Sequence, residues 1–286
     1  MTTSTRTFRL PKPLLFMGTA LSFGLFGLGA LFFTLFLFPA LFLLIRKKAR
    51  RQAFARQFVR RTFALFIAFI SALKLVRIRV LHPEALTRPG SILAANHPSL
   101  IDVVTLLSIV PNATTIVKAS LLKNPFTAAP IVACDYATNN TGEWGEQVFA
   151  TFKTLGEELN NGAIFVIFPE GTRTPSNLPP GQTPKLHRGV AQLSLLTGRP
   201  ITPVRITASP RWLTKDRGWW HLPEEPMTLT FEPLTPIEPA PFLAENEEPR
   251  GNTSQAANDP DLHAYNPSTR HAARALTATL SRCLFQ

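Results

Sequence analysis

From Pro13 to Ile45 the chain carries no charged side chain, and every residue is apolar, Gly, Ser, Thr or Pro. No other feature limits the fold so strongly, because such a run must be taken up by lipid or by a protein core. A single span needs ~20 apolar residues, and this run exceeds that even with tilt. A secretory signal is not the expected reading, since its apolar core is only ~7–15 residues and ends at a cleavage site. Arg6, Arg9 and Lys12 precede the run, and Arg46, Lys47, Lys48, Arg50 and Arg51 follow it. The positive-inside tendency then allows one long tilted helix, or a hairpin bending near Gly24, Gly27 and Gly29. Either way the remainder of the chain is expected on the cytoplasmic side of the inner membrane.

A second apolar stretch, Phe63 to Leu75, is too short to span and is flanked by Arg56, Arg60, Arg61, Lys74 and Arg77. It reads equally as an interfacial amphipathic helix or as the buried first helix of a globular domain. The formal net charge of +12, from 30 Lys+Arg against 18 Asp+Glu, calls for an anionic partner. Beside an apolar segment that partner is membrane lipid, and no nucleic-acid-binding motif is present. Cys134 and Cys283 form neither a disulfide framework nor a metal-ligand pattern.

Past Val76 the pattern becomes that of an α/β domain. Ser91–Ala95, Ala163–Phe168, Ile201–Ile206 and Met227–Phe231 read as strands, and Leu100–Ile109, Trp144–Leu159 and Gly189–Thr197 as helices. This alternation predicts a twisted mixed sheet flanked by helices, behind the membrane helix or hairpin. The expected organisation is a membrane anchor with basic flanks over 1–60 and an α/β domain over 61–233. Residues 234–286 complete it, an irregular Pro-rich excursion followed by a C-terminal helix, Thr269 to Leu284, that docks back.

Two constellations carry chemistry. The first is Asn96-His97-Pro98-Ser99-Leu100-Ile101-Asp102, directly after a strand. Pro98 disfavours the α conformation at His97, which places the imidazole in a turn. Ser99 is expected to cap the helix beginning at Leu100, with Asp102 in its first turn. A bend there brings Asp102 toward the imidazole, where a carboxylate fixes the tautomer and leaves the other nitrogen to accept a proton. Asp102 three residues after Ser99 also reads as a capping-box variant. The second is Phe168-Pro169-Glu170-Gly171-Thr172-Arg173-Thr174, again at a strand end. Gly171 beside a hydroxyl residue allows backbone N–H groups close to an anion, and Arg173 can pair with two phosphate oxygens. Glu170 can orient Arg173 or bond an acceptor hydroxyl. Lys185, His187 and Arg188 can add positive charge ahead of the helix at Gly189.

In this order, behind an apolar anchor, the two constellations resemble those of the lysophosphatidic acid acyltransferase (1-acylglycerol-3-phosphate O-acyltransferase) family of the glycerolipid acyltransferase superfamily. His97 and Asp102 match its His-x4-Asp motif, Phe168 to Thr174 its F-P-E-G-T-R-[ST] motif, and Thr202-Pro203-Val204-Arg205-Ile206 its later Pro-centred strand. Lys118 stands where members commonly carry a lysine. The resemblance spans roughly residues 77–231.

It implies transfer of a fatty acyl group from acyl-CoA or acyl carrier protein to a lysophospholipid hydroxyl, giving phosphatidate in phospholipid biosynthesis. His97 and Asp102 would be catalytic, and Glu170, Gly171, Thr172, Arg173, Lys118 and Arg188 would bind substrate. No metal, covalent intermediate or cofactor beyond the donor is implied. The family's intervening motif usually ends in an Arg, whereas Ile131 to Asn140 contains none. A lyso-aminolipid or other specialised lipid is therefore an alternative acceptor. A hydrolase using the same pair on water is a rival, although no G-x-S-x-G elbow is present. A non-enzymatic lipid adaptor is another.

Overall fold

The computed structural model describes residues 11–139, 146–179, 181–244 and 267–286. Arg6, Arg9, Asn140, Trp144 and the excursion over 245–261 lie outside them. The apolar run forms α1 (Lys12–Phe32), a π-helical turn (Phe33–Leu37) and α2 (Phe38–Leu44), one continuous helix. Pro39 has no N–H and its ring crowds the carbonyl four residues back, which accounts for the wider turn just before it. The helix runs through Gly24, Gly27 and Gly29 without a break. The reversal comes instead at Ile45–Lys47, where Ile45 leaves helical geometry at φ −112 and ψ 91.

A single helix, α3 (Lys48–Ala72), then absorbs both the basic run and most of the second apolar stretch. Its buried residues Val59, Ile67 and Ile70 settle on the domain, while Phe54 and Leu65 stay exposed. Phe26 packs on Phe63 and Phe66, and Phe33 meets Phe58 edge-on. These contacts make α1–α2 and α3 an antiparallel pair. The globular part also holds the apolar helix near each end. Phe16 stacks on Trp219, and Phe38 and Leu41 share a core with Ala133 and Cys134.

The remaining elements are β1 (Val76–Val80), α4 (Pro83–Leu86), β2 (Ile92–Ala95), α5 (Asp102–Ile109), β3 (Ala113–Lys118), α6 (Ala128–Cys134) and β4 (Ala137–Asn139). They are followed by α7 (Glu146–Asn160), β5 (Ile164–Ile167), α8 (Gly189–Thr197), β6 (Ile201–Ser209), β7 (Met227–Pro233), α9 (Ala240–Ala244) and α10 (Pro267–Phe285). Among the described residues the strands form one sheet in the order β1-β7-β6-β2-β5-β3-β4. All neighbours are parallel except β6 and β7. The sheet is mixed and flanked by helices. β1, β3 and β4 add to the strands read from sequence. β1 is an edge strand in which exposed Arg77 and Arg79 alternate with Val76, Ile78 and Val80, so it lacks the continuous apolar run of the central strands, and β4 is only three residues long.

Side-chain alternation divides the core between the sheet's faces. Leu93, Ala95, Ile164 and Val166 pack with α3 and α5, whereas Ile92, Ala94 and Phe165 pack with α7, α8 and α10. The parallel strands β2, β5 and β6 therefore carry their carboxyl ends to one rim.

A buried ion pair ties α3 to α7. Arg56 Nη2 lies 2.8 Å from Glu158 Oε1 with both side chains largely out of solvent. The guanidinium also donates to the Cys134 carbonyl, Asn112 Oδ1 and Thr114 Oγ1. Arg56→Ala leaves Glu158 uncompensated, and breaking such a pair costs about 3–5 kcal/mol. Thermal unfolding in detergent should show a markedly lowered midpoint for R56A, partly regained when Glu158 is also made apolar.

Candidate active site

β2 ends at Ala95, and Asn96 locks its exit to β6. Asn96 Oδ1 accepts from Ile206 N at 2.6 Å, and its Nδ2 donates to the Ile206 carbonyl at 2.9 Å. His97 follows. Its N–H donates to Glu170 Oε1 at 3.0 Å and lies 3.1 Å from Thr174 Oγ1, and its carbonyl accepts from Thr174 N at 2.7 Å. Thr174 Oγ1 in turn donates to Glu170 Oε1 at 2.7 Å. The turn after β5 thus grips the backbone of His97 on both sides.

The imidazole is fixed separately. His97 Nδ1 lies 3.1 Å from Asp102 Oδ2, with the carboxylate fully buried and the ring 13% exposed. The same oxygen accepts from Ser99 N at 2.7 Å. Asp102 therefore serves at once as the reaching-back half of a capping box and as the partner of His97. The expected Ser99 cap does not form: α5 begins at Asp102, and the Ser99 hydroxyl donates to the Trp212 carbonyl at 3.0 Å. Burial pushes the Asp102 carboxyl up, opposed by the bond and charge of His97, the Ser99 N–H and the field of Arg173. The Phe168 ring lies against the imidazole at 4.6 Å between centroids.

Glu170 is buried and bonded on one oxygen. Neither Arg173 nor the cavity takes its bonded oxygen, which bridges His97 and Thr174. Burial raises its carboxyl above the ordinary range. Gly171 sits at φ +65, and a Cβ there would meet His187 Nε2 at 3.0 Å, so the turn requires glycine twice over. Arg173 Nη1 donates to the Leu213 and Thr214 carbonyls, each at 2.9 Å, and so pins the β6–β7 connection.

A cavity of about 810 Å³ opens at this rim. His97, Lys118, Gly171, Thr172 and His187 line its polar part, whereas Asp102, Glu170, Arg173 and Arg188 do not reach it. Its walls are otherwise mainly apolar, from Phe26 on α1 and Phe63 on α3 to Phe152 and Val190 across the sheet. Arg188 is exposed at the N-terminus of α8, and Lys118 is exposed at the end of β3. Sequence reasoning did not foresee Thr174, Asn96 or Trp212 as parts of this site. Asn96 at a strand end and Thr174 inside the second motif were visible signals, but the bond to Trp212 crosses more than a hundred residues and left none.

A model of the acyltransferase family matches residues 77–207, a span that contains both turns and β2 to most of β6. That segment is similar to the acyltransferase family. The chain's fold is similar to that of the 1-acyl-sn-glycerophosphate (LPA) acyltransferase PlsC from Thermotoga maritima. That likeness has a TM-score of 0.57 at 20% identity and covers 94% of this chain and 95% of the other. No curated protein matches the sequence. The segment that matches the acyltransferase model carries both motif turns to the cavity rim.

A carboxyl whose folded pKa lies above its unfolded value binds more protons when folded, so stability falls as pH rises through that window. Glu170→Gln keeps an acceptor for the His97 N–H and removes the buried charge. The E170Q midpoint should equal or exceed that of wild type at pH 7.5, and the difference should shrink as pH falls toward the raised carboxyl value. Thermal unfolding across pH checks this; a lower E170Q midpoint at neutral pH would mean that the charge itself holds the turn.

Proposed function

We propose that the enzyme moves a fatty acyl group from acyl-CoA or acyl carrier protein to the free hydroxyl of a lysophospholipid such as 1-acylglycerol-3-phosphate, giving phosphatidate in phospholipid biosynthesis. The observation that carries this reading is the His97–Asp102 pair at the polar end of a long, mainly apolar cavity. Such a cavity suits an acyl chain, whose transfer from water is favourable by about 0.8 kcal/mol per buried CH₂.

His97 acts as the general base. With Nδ1 engaged by Asp102, Nε2 is the nitrogen that takes the acceptor's proton as the oxygen attacks the thioester carbonyl. Asp102 holds the tautomer and stabilises the imidazolium. The tetrahedral intermediate collapses with expulsion of the thiolate, which recovers the proton from His97, and no bond to the protein is formed. Gly171, Thr172 and Lys118 receive the acceptor headgroup. Glu170 and Arg173 serve the same end indirectly, by holding the His97 backbone and the β6–β7 connection.

The apolar helix anchors this domain to the inner membrane on the cytoplasmic side. A domain in contact near both ends of one helix favours a helix lying along the bilayer surface over one that crosses it. Phe26 and Phe63 then give the acceptor a path from lipid into the cavity.

A second acceptor class is favoured by one observation. Among the described residues lining the cavity, Lys118 is the one Lys or Arg, and Arg173 directs its Nη1 to the Leu213 and Thr214 carbonyls. An acceptor with less phosphate charge, such as a lyso-aminolipid, fits that wall as well.

Thiol release from palmitoyl-CoA and from palmitoyl carrier protein, with lysophosphatidate, lysophosphatidylglycerol or a lyso-aminolipid added, separates these readings. Release is expected to depend on one acceptor and to fall ~100- to 10,000-fold in His97→Ala. Release without any acceptor would instead identify a hydrolase, and full activity in the variant would remove His97 from the mechanism.

A further inference from the structure

The connection between β6 and β7, residues 210–226, faces two ways. Its first part is buried in the catalytic rim. Trp212 and Leu213 supply the carbonyls that bind the Ser99 hydroxyl and the Leu100 N–H, and Leu213 and Thr214 supply those that bind Arg173. Its second part reaches the apolar helix. Trp219 stacks on Phe16 at 5.6 Å and lies 5.9 Å from Phe23, and its carbonyl accepts from Trp212 Nε1 at 3.3 Å.

Trp220 is packed edge-on against Trp219 and is 57% exposed. Leu14, Phe16, Met17 and Leu21 are exposed at the same end of α1, and Phe16 joins that end to the Trp219–Trp220 pair. Neither packing nor an ion pair accounts for the exposure of Trp220. Arg211, Lys215, Arg217 and His221 are exposed in the same connection. Among the acidic groups of the connection, Asp216 bonds the Ser176 and Thr214 hydroxyls and lies in the field of Arg217, and Glu224 and Glu225 lie toward β7. An apolar aromatic body with one polar N–H, on a connection that carries exposed cations, suits the boundary between acyl chains and phosphate headgroups.

We propose that this connection is a second lipid-contacting element, in which Trp220 enters the headgroup–acyl boundary of the leaflet that takes up the exposed face of α1. Arg211, Lys215 and Arg217 lie among the lipid phosphates. The proposal rests on the membrane reading of α1. It adds a second contact away from the helix, on the segment whose other half holds the catalytic turn, so the leaflet also fixes the height of the cavity mouth above the acyl chains.

The test uses the full chain bound to vesicles of phosphatidylglycerol and phosphatidylethanolamine, with bromine placed near the head of the acyl chains as a contact quencher of indole emission. Flotation of the vesicles measures binding independently. Trp220→Phe isolates the contribution of Trp220 from the other tryptophans, and this exposed, conservative change leaves the fold intact. The expected result is that wild-type emission is quenched by the brominated lipid and that most of the Trp220 share, wild type minus W220F, is lost on quenching. Protein that floats with the vesicles while the Trp220 share stays unquenched overturns the proposal and leaves the α1 reading standing. Protein that does not float removes the membrane reading of α1 and this proposal with it.

Discussion

His97 needs two kinds of restraint, one on its ring and one on its backbone, and they come from opposite directions. The ring is held locally by Asp102, five residues on. The backbone is held from the neighbouring strand's exit, where Glu170 and Thr174 take its N–H and Thr174 N–H takes its carbonyl. Those bonds exist only because β2 and β5 are adjacent and parallel, with Ile92, Leu93 and Ala94 opposite Phe165, Val166 and Ile167. A one-residue slip would turn each side chain to the other face and part the two turns. The site therefore depends on sheet register, and the apolar packing on both faces sets that register.

The buried carboxylates belong to this arrangement. Glu170 lies between the two turns, where one oxygen satisfies a backbone N–H and a hydroxyl while the other has no partner among the described residues. Asp102 repeats the pattern, with Oδ2 serving His97 and Ser99 and Oδ1 unpartnered. An unpartnered buried oxygen on each raises the cost of ionisation. Such a cost is tolerable where precise placement of the imidazole is needed.

The apolar helix pair is built on a different principle. Formed by α1–α2 and α3, it contributes Phe26, Val59 and Phe63 to the cavity wall, so the apolar segment is part of the site. Arg56 gives α3 a charged hold on the domain, deep enough that the helix cannot lift away without exposing Glu158. The β6–β7 connection holds the opposite end through Trp219. The apolar helix pair and the two motif turns are thus tied together by the same few segments.

Residues close together in the chain settled much of this. The uncharged run, the strand-like segments of the central sheet and the two motif turns were legible because each depends on local spacing, burial periodicity and the stereochemistry of Pro98 and Gly171. The approach of His97 to Asp102 was legible for the same reason. What a residue does across long separations was not. Arg173 read as a phosphate ligand because a guanidinium after a glycine turn suits an anion, yet the fold brings two carbonyls from forty residues away to it first. Glu170 read as a partner of Arg173 or of substrate, and only strand pairing put the His97 N–H in front of it. Ser99 looked like a cap until the β6–β7 connection offered its hydroxyl a better-placed acceptor. Whether the apolar run bends at its glycines was equally undecidable from composition, because a glycine permits a bend without requiring one. The packing of α3 alongside kept the helix unbroken there and moved the reversal to Ile45–Lys47.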